Sequence, residues 1–413
     1  MLKKIPVSEV RVGMFLQELS GSWLDHPFWK NKFVIEDEND LKRLRESKVK
    51  EVWIDVAKGD DVAAAVPAPP PANEPPLEPS EPSPVPVTRA PFPPPRKLSV
   101  GQAAERAHFI RHQAKQQMTE LYQQVRLGKA ITTGHLGDLV EDISVSVMDN
   151  PGVFISLSRL KNKDDYTYMH SVTVCALMVS LGRQLGLDDE QLRDAGMAGL
   201  LHDMGKALIP IEILNKPGAL TNDEFAVVKE HPRKGWELLM SGSGASDVAK
   251  DVCLHHHERF DGKGYPEKVA ADKQSVFVRM SSVCDVYDAI TSNRPYKAGW
   301  DPAESIRRMA VWSNEGHFDP RVFQAFVKSI GIYPTGSLIK LQSGRLAVVV
   351  EQHPTSALTP LVKAFFSTKS NLHIPPEIID LSKSTERIVS RELPEDWKIK
   401  NLDEIWTEVA RPA

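Results

Sequence analysis

The chain has only three cysteines in 413 residues, Cys175, Cys253 and Cys284. They are too few and too scattered for a disulfide framework or a cysteine-built zinc site, and they suit a reducing cytoplasm. No stretch approaches the roughly 18 uninterrupted apolar residues of a membrane helix, which excludes membrane insertion on this reading. Met1 to Val10 carries two lysines but no apolar core of signal-peptide length behind them, so export is not expected. There is no excess of positive charge either. A formal net charge of -4 gives no overall field to gather a nucleic acid polymer or an anionic membrane, so an anionic substrate must be met by a local cluster.

Proline, in contrast, is concentrated. Val66 to Arg96 holds nearly half of the chain's 31 prolines and few large apolar residues, and reads as an extended polyproline-like spacer that does not pack. The residues before it, 1–62, read as a small α/β domain. Lys32 to Val56 gives strand, helix, strand, with Asp37 to Asp40 as the acidic helix start. After the spacer (63–97), a helical connector is expected over 98–149. There Met118, Leu121, Tyr122 and Val125, then Leu136, Leu139, Val140 and Ile143, fall at helical spacing as packing faces within the chain or between two copies of it.

Residues 150–332 are repeatedly amphipathic, broken at Asn150-Pro151-Gly152, Pro210, Asn215 to Gly218 and Asn293-Arg294-Pro295, and predict an all-helical domain. The remainder, 333–413, reads as a small mixed extension. It opens with a hairpin around Gln342-Ser343-Gly344-Arg345 and looks like an appendage. The fold class is therefore mainly α, with a small α/β domain ahead and a mixed tail behind.

Histidine is unevenly spread. Six of thirteen, His170, His202, His231, His255, His256 and His257, fall within 88 residues where even spacing would give about three. Clustered imidazole with carboxylate suggests Fe, Mn or Zn, since Ca and Mg sites are richer in oxygen. In Leu200-Leu201-His202-Asp203-Met204-Gly205-Lys206 the His-Asp pair is placed on an apolar-faced helix that Gly205 ends. A lone His-Asp pair would read as a buried histidine with its carboxylate partner, but this one has company. His170 lies on the run Tyr166 to Val179, His231 opens another, His256 and His257 precede a turn, and Asp285 lies in Val276 to Ile290.

One metal could take His170, His202, Asp203 and Asp285, and a second the shared Asp203 with His231, His256 and His257, leaving room for water. Two such cations make hydroxide available near neutrality and neutralise a phosphate under attack. The cluster thus predicts metal-assisted phosphate-ester hydrolysis, with Asp203 bridging and Lys206 meeting a phosphate oxygen. His256 and His257 run into Glu258-Arg259-Phe260-Asp261-Gly262-Lys263-Gly264-Tyr265-Pro266, a glycine-rich loop suited to lie beside a ligand, with His255 left as a bystander.

These blocks, with Ile209-Pro210, Leu214 to Gly218, His231-Pro232, and Asp285 to Ala289 leading to Asn293 to Tyr296, resemble the HD-GYP family, a branch of the HD phosphohydrolases, over Tyr166 to Val327. The resemblance implies the same ligand set and hydrolysis of cyclic di-GMP to pGpG, which some members carry on to GMP. It further implies that Lys206, Arg294 and Lys297 meet phosphates or guanines, with Asp164 and Tyr265 close to the nucleotide. Some members hold a third metal through a glutamate where this chain has Tyr166, so two metals are expected. Residues Val7 to Val56 resemble the small domain found ahead of some HD-GYP domains. Two rivals stay open: an HD hydrolase of another nucleotide, and a non-catalytic regulator that binds cyclic di-GMP or a diguanylate cyclase through the GYP loop. A homodimer is compatible with all three.

Overall fold

The structure is a computed structural model that describes residues 2–19, 33–35, 37–46, 49–56, 58–60, 90–159, 166–216, 218–292, 299–353 and 356–407. The chain divides into two units, Met1–Arg89 and Ala90–Ala413.

In the first unit, β1 (Leu2–Pro6), β2 (Phe15–Leu19), β3 (Phe33–Val34) and β4 (Glu51–Asp55) form an antiparallel sheet in the order β1-β4-β2-β3, and α1 spans Glu38–Glu46. Val52 and Ile54 alternate inward with Ile5, Leu16, Leu41 and Leu44 around one small core. The strand-helix-strand reading finds β3, α1 and β4 but not β1 and β2. Strand β1 buries only Ile5, so no alternation announces it.

The second unit is mainly α. Its helices are α2 (Val100–Arg126), α3 (Leu136–Asp149), α4 (Pro151–Ser158), α5 (Tyr166–Leu185), α6 (Asp189–Leu201), α7 (Ile211–Leu214), α8 (Asn222–Val228), α9 (His231–Ser241), α10 (Asp247–His255), α11 (Val276–Thr291), α12 (Pro302–Asn314) and α13 (Pro320–Ile330). The starts are written locally. Ser99 with Gln102, Asp188 with Gln191 and Thr221 with Glu224 form capping boxes, and Asn150, Asp301 and Asp319 cap helices whose first residue is proline. Met118, Leu121, Tyr122 and Val125 of α2 and Leu136, Leu139, Val140 and Ile143 of α3 are buried within the chain's own main core.

Two features depart from the sequence reading. The last part of the proline-rich segment does pack: Phe92 N–H donates to Asp189 Oδ2 at 2.9 Å, the Arg193 guanidinium lies 4.1 Å from the Phe92 ring centre, and Arg96 pairs with Asp149 at 2.6 Å. Its partners sit on α3 and α6, far along the chain, where no local pattern reveals them.

The tail, moreover, is no appendage. Strands β5 (Leu338–Leu341), β6 (Arg345–His353), β7 (Ser356–Ser367), β8 (Leu372–Asp380) and β9 (Ile388–Arg391) make a five-stranded sheet in the order β8-β7-β6-β5-β9, followed by α14 (Leu402–Thr407). Leu346, Val348, Phe365 and Trp406 join the main helical core. Trp406 is 1% exposed, so Trp406→Ala is expected to cost about 3–5 kcal/mol of stability in urea unfolding.

Candidate metal centre

Helix α6 stops at Leu201, two residues earlier than the sequence suggests. His202 keeps helical angles (φ -55°, ψ -34°), and Asp203 leaves them (φ -100°, ψ 10°) as the chain enters a 3₁₀ turn over Met204–Leu208. Gly205 therefore does not end the helix. A Cβ there would overlap the His231 carbonyl, so glycine lets this turn touch the start of α9 through backbone alone. That contact sets His231 Nε2 3.2 Å from Asp203 Oδ1.

Helix α5 presents His170 and α11 presents Asp285. His170 Nε2 lies 3.0 Å from Asp285 Oδ1, 3.4 Å from Asp203 Oδ2 and 3.3 Å from His202 Nε2. On the other side of Asp203, His231 Nε2 lies 3.1 Å from His256 Nε2, which is itself 3.7 Å from Asp203 Oδ1. His257 Nδ1 stands 3.6 Å from Asp285 Oδ2. The seven side chains thus converge as two groups divided by one carboxylate, Oδ2 facing one group and Oδ1 the other. All are buried except His257, whose side chain is 23% exposed. His255 stands apart, its ring nitrogens facing Asp251 at 2.8 Å and Glu267 at 3.3 Å.

The remaining nitrogens explain the convergence. The Nδ1 atoms of His202, His231 and His256 face the carbonyls of Gly199 (2.8 Å), Val228 (2.7 Å) and Cys253 (3.1 Å), and Nδ1 of His170 faces Asp288 Oδ2 at 2.6 Å. All four partners accept, so each Nδ1 carries a proton, and the Nε2 atoms of His202, His231 and His256 are left facing inward. Lone pairs about 3 Å apart repel one another unless a cation lies between them, and nitrogens bound at roughly 2.1 Å to one ion stand about that far apart. Asp203 Oδ1, fully buried, accepts no hydrogen bond within normal geometry. A cation supplies what this oxygen lacks, so the donor set fits a divalent metal.

The electrostatics match. Burial pushes His202 and His256 below the ordinary histidine range and takes His257 to about 3. Burial alone would raise Asp203, but Lys206 and the neighbouring histidines hold it well below the carboxylate range; His170 and His257 do the same for Asp285. His170 is the exception, raised because Asp285 and Asp288 outweigh the burial that would lower it. Neutral imidazoles at His202, His256 and His257 beside ionised Asp203 and Asp285 are the protonation states that metal binding requires.

Sequence reasoning missed the support around this cluster. Asp288 follows Asp285 by three residues on the same face of α11, a spacing that offered the signal, and it orients His170 while accepting from Ser292 Oγ at 3.0 Å. Asp288→Ala is expected to weaken Mn²⁺ binding by about 10–100-fold in equilibrium dialysis. Glu258, also buried, accepts the backbone N–H groups of Glu267 (2.7 Å), Lys268 (2.9 Å) and Val269 (3.1 Å), closing the glycine-rich loop. Within it, a Cβ at Gly264 would overlap the backbone of residues 257–259, and Tyr265 stacks on His257 with ring centres 4.7 Å apart. Lys206 Nζ lies 2.5 Å from Asp203 Oδ2, beside the carboxylate that divides the groups. Asp164, Arg294 and Lys297 lie outside the described residues.

Residues 149–322 match the HD domain, and residues 2–136 match a domain of unknown function (DUF3391). Across its whole length the chain is 52% identical to a cyclic di-GMP phosphodiesterase of Pseudomonas aeruginosa, of which it covers 97%. The chain belongs to the HD-GYP family. Its HD pair is His202-Asp203, and its GYP triplet is Gly264-Tyr265-Pro266, with a cis peptide before the proline. A cyclic di-GMP phosphodiesterase response regulator of Xanthomonas campestris pv. campestris is 38% identical over 181 residues, 42% of this chain and 47% of that one. Among solved structures, an HDG"Y"P protein of Bdellovibrio bacteriovorus aligns with a TM-score of 0.46 at 16% identity, over 79% of this chain and 98% of that one. HD phosphohydrolases bind divalent metals, and the His/Asp cluster of this member can hold one.

Proposed function

We propose that this HD-GYP protein hydrolyses cyclic di-GMP to pGpG at a centre of two divalent cations sharing Asp203. The observation that carries the reading is the inward set of imidazole lone pairs on both sides of a buried carboxylate with an unsatisfied oxygen. His170, His202 and Asp285 would hold one ion, and His231, His256 and His257 the other. This nitrogen-rich set suits Fe or Mn, with Zn compatible. When bound, such a pair supplies an acidified water and neutralises the phosphate it attacks.

The chain's own groups do the rest. Asp288 fixes the His170 ring, and the Glu258-anchored loop holds His257 and Tyr265 at the rim. Lys206, its side chain 22% exposed, stands where an ammonium can leave Asp203 for a phosphate oxygen. Lys206→Ala should keep its metal and lose about 10–100-fold in kcat. An unchanged rate in the fully loaded variant would remove Lys206 from the mechanism. A relative named for cyclic di-GMP and 52% identical across the whole of this chain supports the substrate. The three free, buried cysteines support a cytoplasmic setting.

The test is product chromatography after anaerobic Fe or Mn loading, with cyclic di-GMP, the mixed guanine-adenine cyclic dinucleotide and cyclic di-AMP as substrates. Appearance of pGpG, with any GMP later, is expected from cyclic di-GMP. Cleavage confined to another dinucleotide would redirect the substrate, and an inert, metal-free protein would favour the binding regulator.

A further inference from the structure

Helix α2 reaches the metal centre from outside the HD block. It lies wholly within the stretch that matches the domain of unknown function, residues 2–136. Tyr122, 1% exposed, donates its hydroxyl to the backbone carbonyl of Asp203 at 3.1 Å. The same carbonyl accepts the Lys206 N–H at 2.9 Å. One helical turn on, Arg126 Nε donates to the carbonyl of Ala207 at 3.4 Å, so α2 binds both ends of the turn that carries the shared carboxylate. The Tyr122 ring meets Tyr168 edge-on, centres 5.1 Å apart, two residues before His170.

A carbonyl held by two donors from different directions belongs to a peptide plane that cannot swing. The Asp203 side chain hangs from that plane, and its two oxygens must serve opposite groups of histidines at once. An error on the order of 1 Å in such a group costs about 100-fold in rate. We infer that Tyr122 is a positioning residue for the shared carboxylate, so that the stretch of unknown function supplies, through α2, part of the hydrolase's own support. The inference rests on the two-cation reading above.

Tyr122→Phe in the full-length chain removes only the hydroxyl. The ring and its contact with Tyr168 remain, and the Asp203 carbonyl keeps the Lys206 N–H, so the thermal transition should stay close to that of the parent. Mn²⁺ affinity, measured with the metal alone by equilibrium dialysis, should fall about tenfold, and kcat on cyclic di-GMP by a similar factor with KM unchanged. Ile110→Val, buried on the same helix about 18 Å from Tyr122, should leave both at parental values. Parental Mn²⁺ affinity and kcat in Tyr122→Phe would overturn the inference while leaving the metal centre standing. Equal losses in Ile110→Val would overturn it in favour of general helix packing. A parent chain that takes up no Mn²⁺ would remove the metal centre itself, and this inference with it.

Discussion

Asp203→Ala yields a folded protein that retains neither metal equivalent and loses at least about 1,000-fold in kcat/KM on cyclic di-GMP. The expectation follows from the two faces of one side chain. Oδ2 lies 3.4 Å from both His170 Nε2 and His202 Nε2, and Oδ1 lies 3.2 Å from His231 Nε2. Removing it takes away the fully buried carboxylate that stands between the two groups of imidazoles. The backbone of the turn should survive, because its carbonyl is held by Tyr122 and Lys206, and Lys206 can turn its ammonium toward solvent. Elemental analysis of the purified variant checks this. Two retained equivalents would mean that the groups hold their ions independently.

His170→Ala and His231→Ala should each lose one equivalent and keep the other, with turnover down by about 100–1,000-fold in both. His170 belongs to the group with His202 and Asp285, and His231 to the group with His256 and His257. Each alanine leaves the opposite set of donors in place. The asymmetry lies in what remains: without His170, Asp288 loses the ring it orients, whereas without His231 the Val228 carbonyl loses only a donor at the mouth of α9. Titration with Mn²⁺ should therefore show one surviving site in each variant. Loss of both sites in either would mean that the two groups act as one cage.

The candidate donors were legible in the sequence because metal chemistry admits few residue types. Six histidines in a short stretch, with Asp203 and Asp285 in helical surroundings, could be recognised without knowing how the helices cross. The structure brings His170, His202, Asp203, His231, His256, His257 and Asp285 together. What could not be read were roles assigned by contacts between distant backbones. Tyr122 looks like any core tyrosine until its hydroxyl meets a carbonyl 81 residues away. Glu258 looks like loop charge until three N–H groups close on it. Gly205 suggests a helix stop by composition, but its missing side chain instead admits the backbone of α9, and α6 ends earlier.

The same limit governs the rest of the fold. Helix starts are capped at Ser99, Asp188, Asp301 and Asp319, but the helical class was legible from the amphipathic runs between the breaks. The C-terminal sheet was not legible beyond its first hairpin, and its strand β8 contains Pro375 and Pro376. They lie in this edge strand where its register with β7 shifts between Ala364 and Phe366.

Two cations meeting at the single carboxylate of Asp203 are the central expectation. Anomalous diffraction from crystals of the full chain grown in Mn²⁺ measures this directly. Two peaks are predicted, one among His170, His202 and Asp285 and one among His231, His256 and His257, with the Asp203 carboxylate between them. A map with no peak in the cluster, or with imidazoles hydrogen-bonded to one another around bound water alone, would contradict it.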